Sequence, residues 1–299
     1  MVTMKKSITL LALAAVAVAF AVAACEKEEP TVTYTHDDGQ LRLRGVVVVR
    51  DTVPPDSVNY INMVFVKAGT FQMGGFGDTL DTEVPEREWE WEFQTPSHNV
   101  VLSENFYISQ TEITQAIFEE VMGYNPSVFK NPDHPVENLT FEEALTFCDT
   151  LSARTGKNFT LPTEAQWEYA ARGGHLAPQP AKVGVLPVYP IYAGGNDIDS
   201  LAWYRENSDS TSHPVAKKKP NVLGLYDMSG NVSEWCLDYW GRYTNETQHD
   251  PTGPATGTNR VRRGGSWAYY DRYCRAPFRD YMNPAYRHSY VGFRIVRLP

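Results

Sequence analysis

The sequence predicts an α+β domain in which much of the backbone is irregular. Alternating apolar and polar residues mark strands within 61–75 and 98–107, and three later segments carry helix start and stop signals. Between and after the helices run long tracts rich in Pro, Gly, Asn and Asp with no helical period. No internal repeat, low-complexity tract, P-loop or dinucleotide fingerprint is present.

At the N-terminus, Lys5 and Lys6 precede a mostly apolar run over 8–24 that ends in small residues, the layout of a secretory signal. Val22-Ala23-Ala24-Cys25 resembles the lipobox of bacterial lipoproteins. That resemblance implies cleavage before Cys25, acylation of its thiol, and a stable multi-chain lipid anchor in the cell envelope, at the outer membrane. An uncleaved signal anchor, or a signal peptide followed by a chance cysteine, are the other readings of the same residues. Glu26-Lys27-Glu28-Glu29-Pro30 is a charged, solvated tether. The β-branched run Val46 to Val49 marks a strand over 41–53, which Pro54-Pro55 ends. The expected division is 1–24 signal peptide, 25–60 lipidated cysteine and tether with a strand, and 61–299 one domain.

A net charge of -9 argues against nucleic acid, which needs a basic face. The lipobox resemblance implies membrane lipid as one partner, and a protein or peptide partner is expected beside it. Hydrophobic residues at 42% suffice for a core, and 7 Trp with 17 Tyr suit a loop-rich fold held by aromatic anchors. Beyond Cys25 the cysteines are Cys148, Cys236 and Cys274, too few for a disulfide framework. The histidines lack ligand spacing, so a His-based metal site is not expected.

Taken in order, 61–75 alternates around Ala68-Gly69 and reads as a hairpin, with Val64, Val66, Phe71 and Met73 inward. Residues 79–92 are acidic and read as an exposed loop, and 98–107 reads as one strand. Thr114 starts a helix over 115–122 that Gly123 ends. Thr140 with Glu143, and Thr163 with Gln166, are capping boxes opening the second and third helices, the second stopped by Gly156. Residues 175–219 form a long loop, 260–267 a strand with Gly264-Gly265 at a bulge, and 292–298 a closing strand.

Arg262 to Cys274, reading RRGGSWAYYDRYC, concentrates the chemistry. A double glycine permits left-handed or closely packed backbone. A cysteine shortly after it is a candidate nucleophile or soft metal ligand, or else a small core residue.

The blocks Phe71-Gln72-Met73-Gly74, Glu112-Ile113-Thr114, the run from Leu161 to Gly173, Gly224-Leu225-Tyr226-Asp227, Gly230-Asn231-Val232-Ser233-Glu234-Trp235, Arg263-Gly264-Gly265-Ser266-Trp267 and Gly292-Phe293-Arg294 resemble, in this order, the sulfatase-modifying factor family, which includes the formylglycine-generating enzymes. The resemblance implies a variant C-type-lectin-like fold, low in regular structure and commonly holding calcium. It also implies a copper(I) site between two thiolates, since soft thiolates select that ion. Those positions here are Tyr269 and Cys274, with Ser266 in the same motif. A phenol is a hard, protonated group at neutral pH, so copper is not expected. Ser233 stands where active members often carry tryptophan, and the disulfide partner position of Cys148 is Ile295.

For calcium, the resemblance assigns the carboxylates of Asp227 and Glu234 and the carbonyls of Gly230 and Val232, a donor set for a hard cation. Asp227 capping its own turn is the alternative reading of that motif. Asn207 is assigned to a second site. The family also supplies lipoprotein components of secretion and gliding machinery, so the resemblance implies a non-catalytic binding or scaffold protein. A divergent formylglycine-generating oxidase is the alternative. The sulfoxide synthases sharing the fold need a helical domain with a histidine cluster, which this sequence lacks.

Overall fold

The computed structural model describes residues 60–75, 93–177 and 189–299 in full, and before them the backbone of three strands. The expectations for the signal peptide, Cys25, the acidic tether and the loop at 79–92 lie outside the described residues. The early strands are β1 (Thr35–Asp37), β2 (Gln40–Arg42) and β3 (Val48–Thr52). β1 pairs with β2 in antiparallel fashion.

The stretch expected to be a hairpin is not one. β4 (Tyr60–Val66) and β5 (Gly69–Met73) enter different sheets. β6 (His98–Leu102) pairs with β5, while β7 (Phe106–Ser109) pairs with β4, so the single strand expected over 98–107 is also two. The bend between β4 and β5 has side-chain anchors in place of hairpin bonds. Asn105 Oδ1 accepts from the Ala68 N–H at 2.9 Å and His175 Nδ1 from Lys67 N–H at 3.2 Å. Alternation at 61–75 marks buried faces but says nothing about which neighbour a strand pairs with.

The helices follow their local signals. α1 (Gln115–Met122) is capped by the Thr114 hydroxyl and ended by left-handed Gly123. α2 (Phe141–Thr155) opens on a complete Thr140–Glu143 capping box, worth about 1 kcal/mol over an uncapped end, and stops at left-handed Gly156. β8 (Phe159–Thr160) leads to α3 (Glu164–Ala171), with its Thr163–Gln166 box. α3 buries Glu164 and Glu168 along with Trp167 and Ala170, so it lies inside the domain on nearly every face. Arg263 and Arg172 neutralise Glu168, which holds that carboxyl below its usual range although burial opposes ionisation.

After a four-residue helix α4 (Ile198–Leu201), the remaining strands are β9 (Ser233–Tyr239), β10 (Gln248–His249), β11 (Arg260–Arg263), β12 (Arg279–Met282), β13 (Val291–Gly292) and β14 (Val296–Arg297). They complete three sheets in the orders β3-β4-β7-β14-β8, β10-β6-β5 and β12-β11-β9-β13. The strand expected over 292–298 is thus broken. β13 runs parallel to β9, and β14 pairs with β7 and β8. Between them Arg294 is fully buried, beside Phe293 and Ile295. One core packs α3 against β5, β6 and Leu225, and a second packs α1 and α2 around Phe293 and Trp235. Cys148 and Ile295 both lie in the second, with Cys148 a free thiol. Among the described residues no helix is long and apolar enough to cross a membrane.

Candidate functional site

The turn 227–234 is built from backbone that only certain residues tolerate. Asp227, Gly230 and Asn231 all have left-handed φ, at 57°, 79° and 58°. Gly230 is required because a Cβ there would run into the Trp203 carbonyl. Asn231 then laces the turn to its surroundings. Its amide donates to Glu112 Oε2 at 2.8 Å and its Oδ1 accepts from His213 N–H at 2.9 Å. Glu112 Oε1 accepts from Val232 N–H at 3.0 Å.

Beneath this turn three buried carboxylates, Glu112, Asp227 and Glu234, surround one guanidinium, Arg294. Arg294 grips Glu234 with two bonds, Nε to Oε2 at 2.6 Å and Nη2 to Oε1 at 2.7 Å. Trp167 Nε1 adds a third at 2.6 Å. Asp227 differs: Oδ2 accepts from Ala216 N–H at 2.7 Å, while Oδ1 is buried without a partner. Burial, then the neighbouring acids, pushes Glu112 well above the carboxylate range, and burial chiefly lifts Asp227 to about 6. A buried excess of acid and an orphaned carboxylate oxygen fit a cation.

The expected calcium set fits only in part. Asp227, Gly230 and Val232 share one turn, but the Glu234 carboxylate is committed to Arg294 and Trp167. Among the described residues no three His, Cys, Asp or Glu side chains converge to hold an ion by themselves, so backbone carbonyls would have to supply donors. Asn207, expected at a second site, bonds within its own loop. Its amide serves its own loop, donating to Ala202 O at 3.1 Å and accepting from Tyr204 N–H at 2.9 Å.

Before Tyr269 and Cys274, which the resemblance equates with copper ligands, Gly264 and Gly265 both have left-handed φ, and the chain folds back over a short 3-10 turn, Asp271–Cys274. Cys274 is fully buried, packed with Tyr192, Leu201, Ala202 and Tyr204. Burial pushes its thiol up to about 12. Tyr269 lies in a different environment: its hydroxyl accepts from Arg262 Nη2 at 2.6 Å, and the same nitrogen reaches Asp280 Oδ2 at 2.6 Å. Burial raises this phenol as well, so it remains protonated at neutral pH. Ser266 is buried, its hydroxyl within 3.3 Å of the Ala268 N–H and its carbonyl bonded to the Tyr269 N–H. It shapes the turn and has no nucleophile's base beside it among these bonds.

A fully buried thiol whose pKa is pushed up by burial is neither ionised nor open to a reagent at neutral pH. Iodoacetamide is therefore expected to leave Cys274 unmodified in the folded protein from about pH 7 to about pH 9 and to alkylate it fully in denaturant. Peptide mass spectrometry reads the difference, and rapid native labelling would show an open thiol.

Sequence reasoning gave no role to Glu112, Arg294, Trp167 or Asn231, although each lies in a quoted motif. A charged residue between Phe293 and Ile295 was the available signal, since buried charge is rare unless paired.

The sulfatase-modifying factor enzyme 1-like domain family matches residues 49–299. The formylglycine-generating enzyme of Thermomonospora curvata is 32% identical over 199 residues, covering 59% of this chain and 60% of that enzyme's length. Chaperone protein LppX of Paenibacillus barcinonensis is 32% identical over 219 residues, covering 56% of this chain and 71% of that protein. Treponema denticola variable protein 1 has the same fold, with a TM-score of 0.71 at 31% identity over 85% of this chain and 99% of that one. PvdO from Pseudomonas aeruginosa follows at 0.65 and 26%, over 84% of this chain and 99% of its own. With a match running from the edge strand β3 through β14, and the motif turns folded as one unit, the chain belongs to the sulfatase-modifying factor family.

Proposed function

We propose that this is a non-catalytic binding or scaffold protein of the bacterial cell envelope, lipid-anchored through Cys25 at the outer membrane and engaging a protein or peptide partner. The observation that carries the reading is the state of the two side chains that the family resemblance equates with copper ligands. Cys274 is a buried, protonated thiol, and Tyr269 is a phenol held by Arg262. A relative named as a chaperone supports a role in handling other proteins, while the relatives named as formylglycine-generating enzymes keep the oxidase as the alternative. The lipobox supports the anchor.

The decisive test incubates the purified domain with copper(I), oxygen and a cysteine-containing sulfatase peptide. No aldehyde product is expected by mass spectrometry. Stoichiometric copper binding with turnover, lost in Cys274→Ser, would establish the oxidase instead.

Calcium at the 227–234 turn is part of the same proposal, supported by the orphaned Asp227 Oδ1 and the acid excess around it. Saturating calcium is expected to raise the melting temperature by on the order of 5 °C over an EDTA-treated sample. Asp227→Asn should remove that response. Identical melting with and without the ion would exclude the site.

A further inference from the structure

A cavity of about 440 Å³ opens between the β10-β6-β5 sheet and the loop after β9, lined by none of the residues discussed as the family's metal or thiol positions. Its volume is in the range of small-molecule sites. Its walls are fixed. β10 pairs with β6, Asp250 is bonded to Ser103 through both carboxylate oxygens (2.8 and 2.6 Å), and Gln248 donates to Thr244 Oγ1 at 3.0 Å. At the floor, Arg279 and Glu164 satisfy each other, Nε to Oε1 at 2.7 Å and Nη2 to Oε2 at 2.6 Å.

Two floor groups are not satisfied in this way. Asp238 is 3% exposed. One of its oxygens accepts from the Glu164 N–H at 2.7 Å, and the other takes no bond from another residue. His98 is 5% exposed, and its Nδ1 lies 3.1 Å from the Pro96 carbonyl. A carbonyl only accepts, so Nδ1 carries a proton, and Nε2 is left to bond a ligand group. The cavity therefore offers two lining groups, Asp238 and His98, each with one side-chain atom that bonds no other residue. Its lining carries three acidic side chains (Glu164, Asp238, Asp250) against two basic ones (Arg242, Arg279), which favours a cation.

We propose that this cavity is a second ligand site, separate from the Cys274 region, for a small hydroxylated primary amine of the amino-alcohol or amino-sugar class. The ammonium sits against Asp238, where a charge-assisted bond is strongest. Hydroxyl groups meet His98 Nε2 and the mixed donor–acceptor side chains Thr244, Gln248 and Thr252. Burial, then the neighbouring Glu164 carboxylate, lifts Asp238 to about 7 against the opposing charge of Arg279, and a bound ammonium would favour its ionised form.

Titration calorimetry of the full domain with glucosamine, glucose and glucuronate tests this. Glucosamine should bind at least about tenfold more tightly than neutral glucose, and glucuronate should bind worst. Asp238→Asn retains an acceptor for the Glu164 N–H and should reduce glucosamine to the level of glucose. Thr252→Trp, at an exposed rim position that leaves the buried floor intact, should weaken glucosamine at least about tenfold by filling the mouth, and keeps the test open should Asp238→Asn fail to fold. The proposal is overturned by absence of saturable glucosamine binding at millimolar concentration, by glucose or glucuronate binding equally well, or by glucosamine affinity unchanged in a folded variant.

Discussion

Arg294→Met is expected to destabilise the domain by about 3–5 kcal/mol, the cost of removing one partner from a buried ion pair. On a domain of this size that lowers the melting temperature by on the order of 10 °C. Arg294 is fully buried and holds Glu234 by two nitrogens. It also donates to the carbonyls of Ser109 at 3.1 Å and Tyr226 at 2.9 Å. Its loss strands Glu234 and leaves Glu112 and Asp227 without their shared counter-charge. Methionine fills the volume, so the loss reads the charge rather than a cavity. Adding Glu234→Leu should recover part of it, because an apolar pair can replace a buried ion pair. Urea denaturation measures both. A loss below about 1 kcal/mol in the single variant would mean that Arg294 is not the central cation of this cluster.

Gly265→Ala should be comparably severe, at about 3–4 kcal/mol, combining left-handed strain with overpacking. Its φ is 70°, and a Cβ would lie 2.5 Å from the Tyr273 carbonyl and 2.7 Å from Cys274 Sγ. The 3-10 turn carrying Cys274 would have to lift away. Expression with a native-like melting curve would contradict the packing described for Cys274. Alkylation of Cys274 in the folded variant is the sensitive secondary readout, because a displaced turn exposes the thiol before the domain unfolds.

The helices were legible because their determinants are local. Thr140 and Glu143 are three residues apart, and each bonds the other's backbone whatever the rest of the chain does. Gly123 and Gly156 end their helices in left-handed conformations that glycine adopts at no steric cost. The motif order was equally legible and fixed the family. Pairing partners were not. Residues 61–75 carry a hairpin's alternation, yet their two strands join separate sheets, because alternation encodes a buried face and not a neighbour.

The candidate site divides in the same way. Tyr269, where the family resemblance expects a thiolate, could be read from one residue. The fate of Glu234 could not. Its carboxylate bonds Arg294, 60 residues away in sequence, and Trp167, 67 away. The status of Cys274 likewise rests on Tyr192, Leu201 and Tyr204 closing over it from a loop with no periodic signal. Sequence alone determined the class of fold and the helix ends, since each depends on a residue's own chemistry or its nearest neighbours. Tertiary structure decided which carboxylate keeps a free oxygen and which cysteine is shut away. Desolvation and ion pairing are set by whatever packs against a group, and here those groups come from distant parts of the chain.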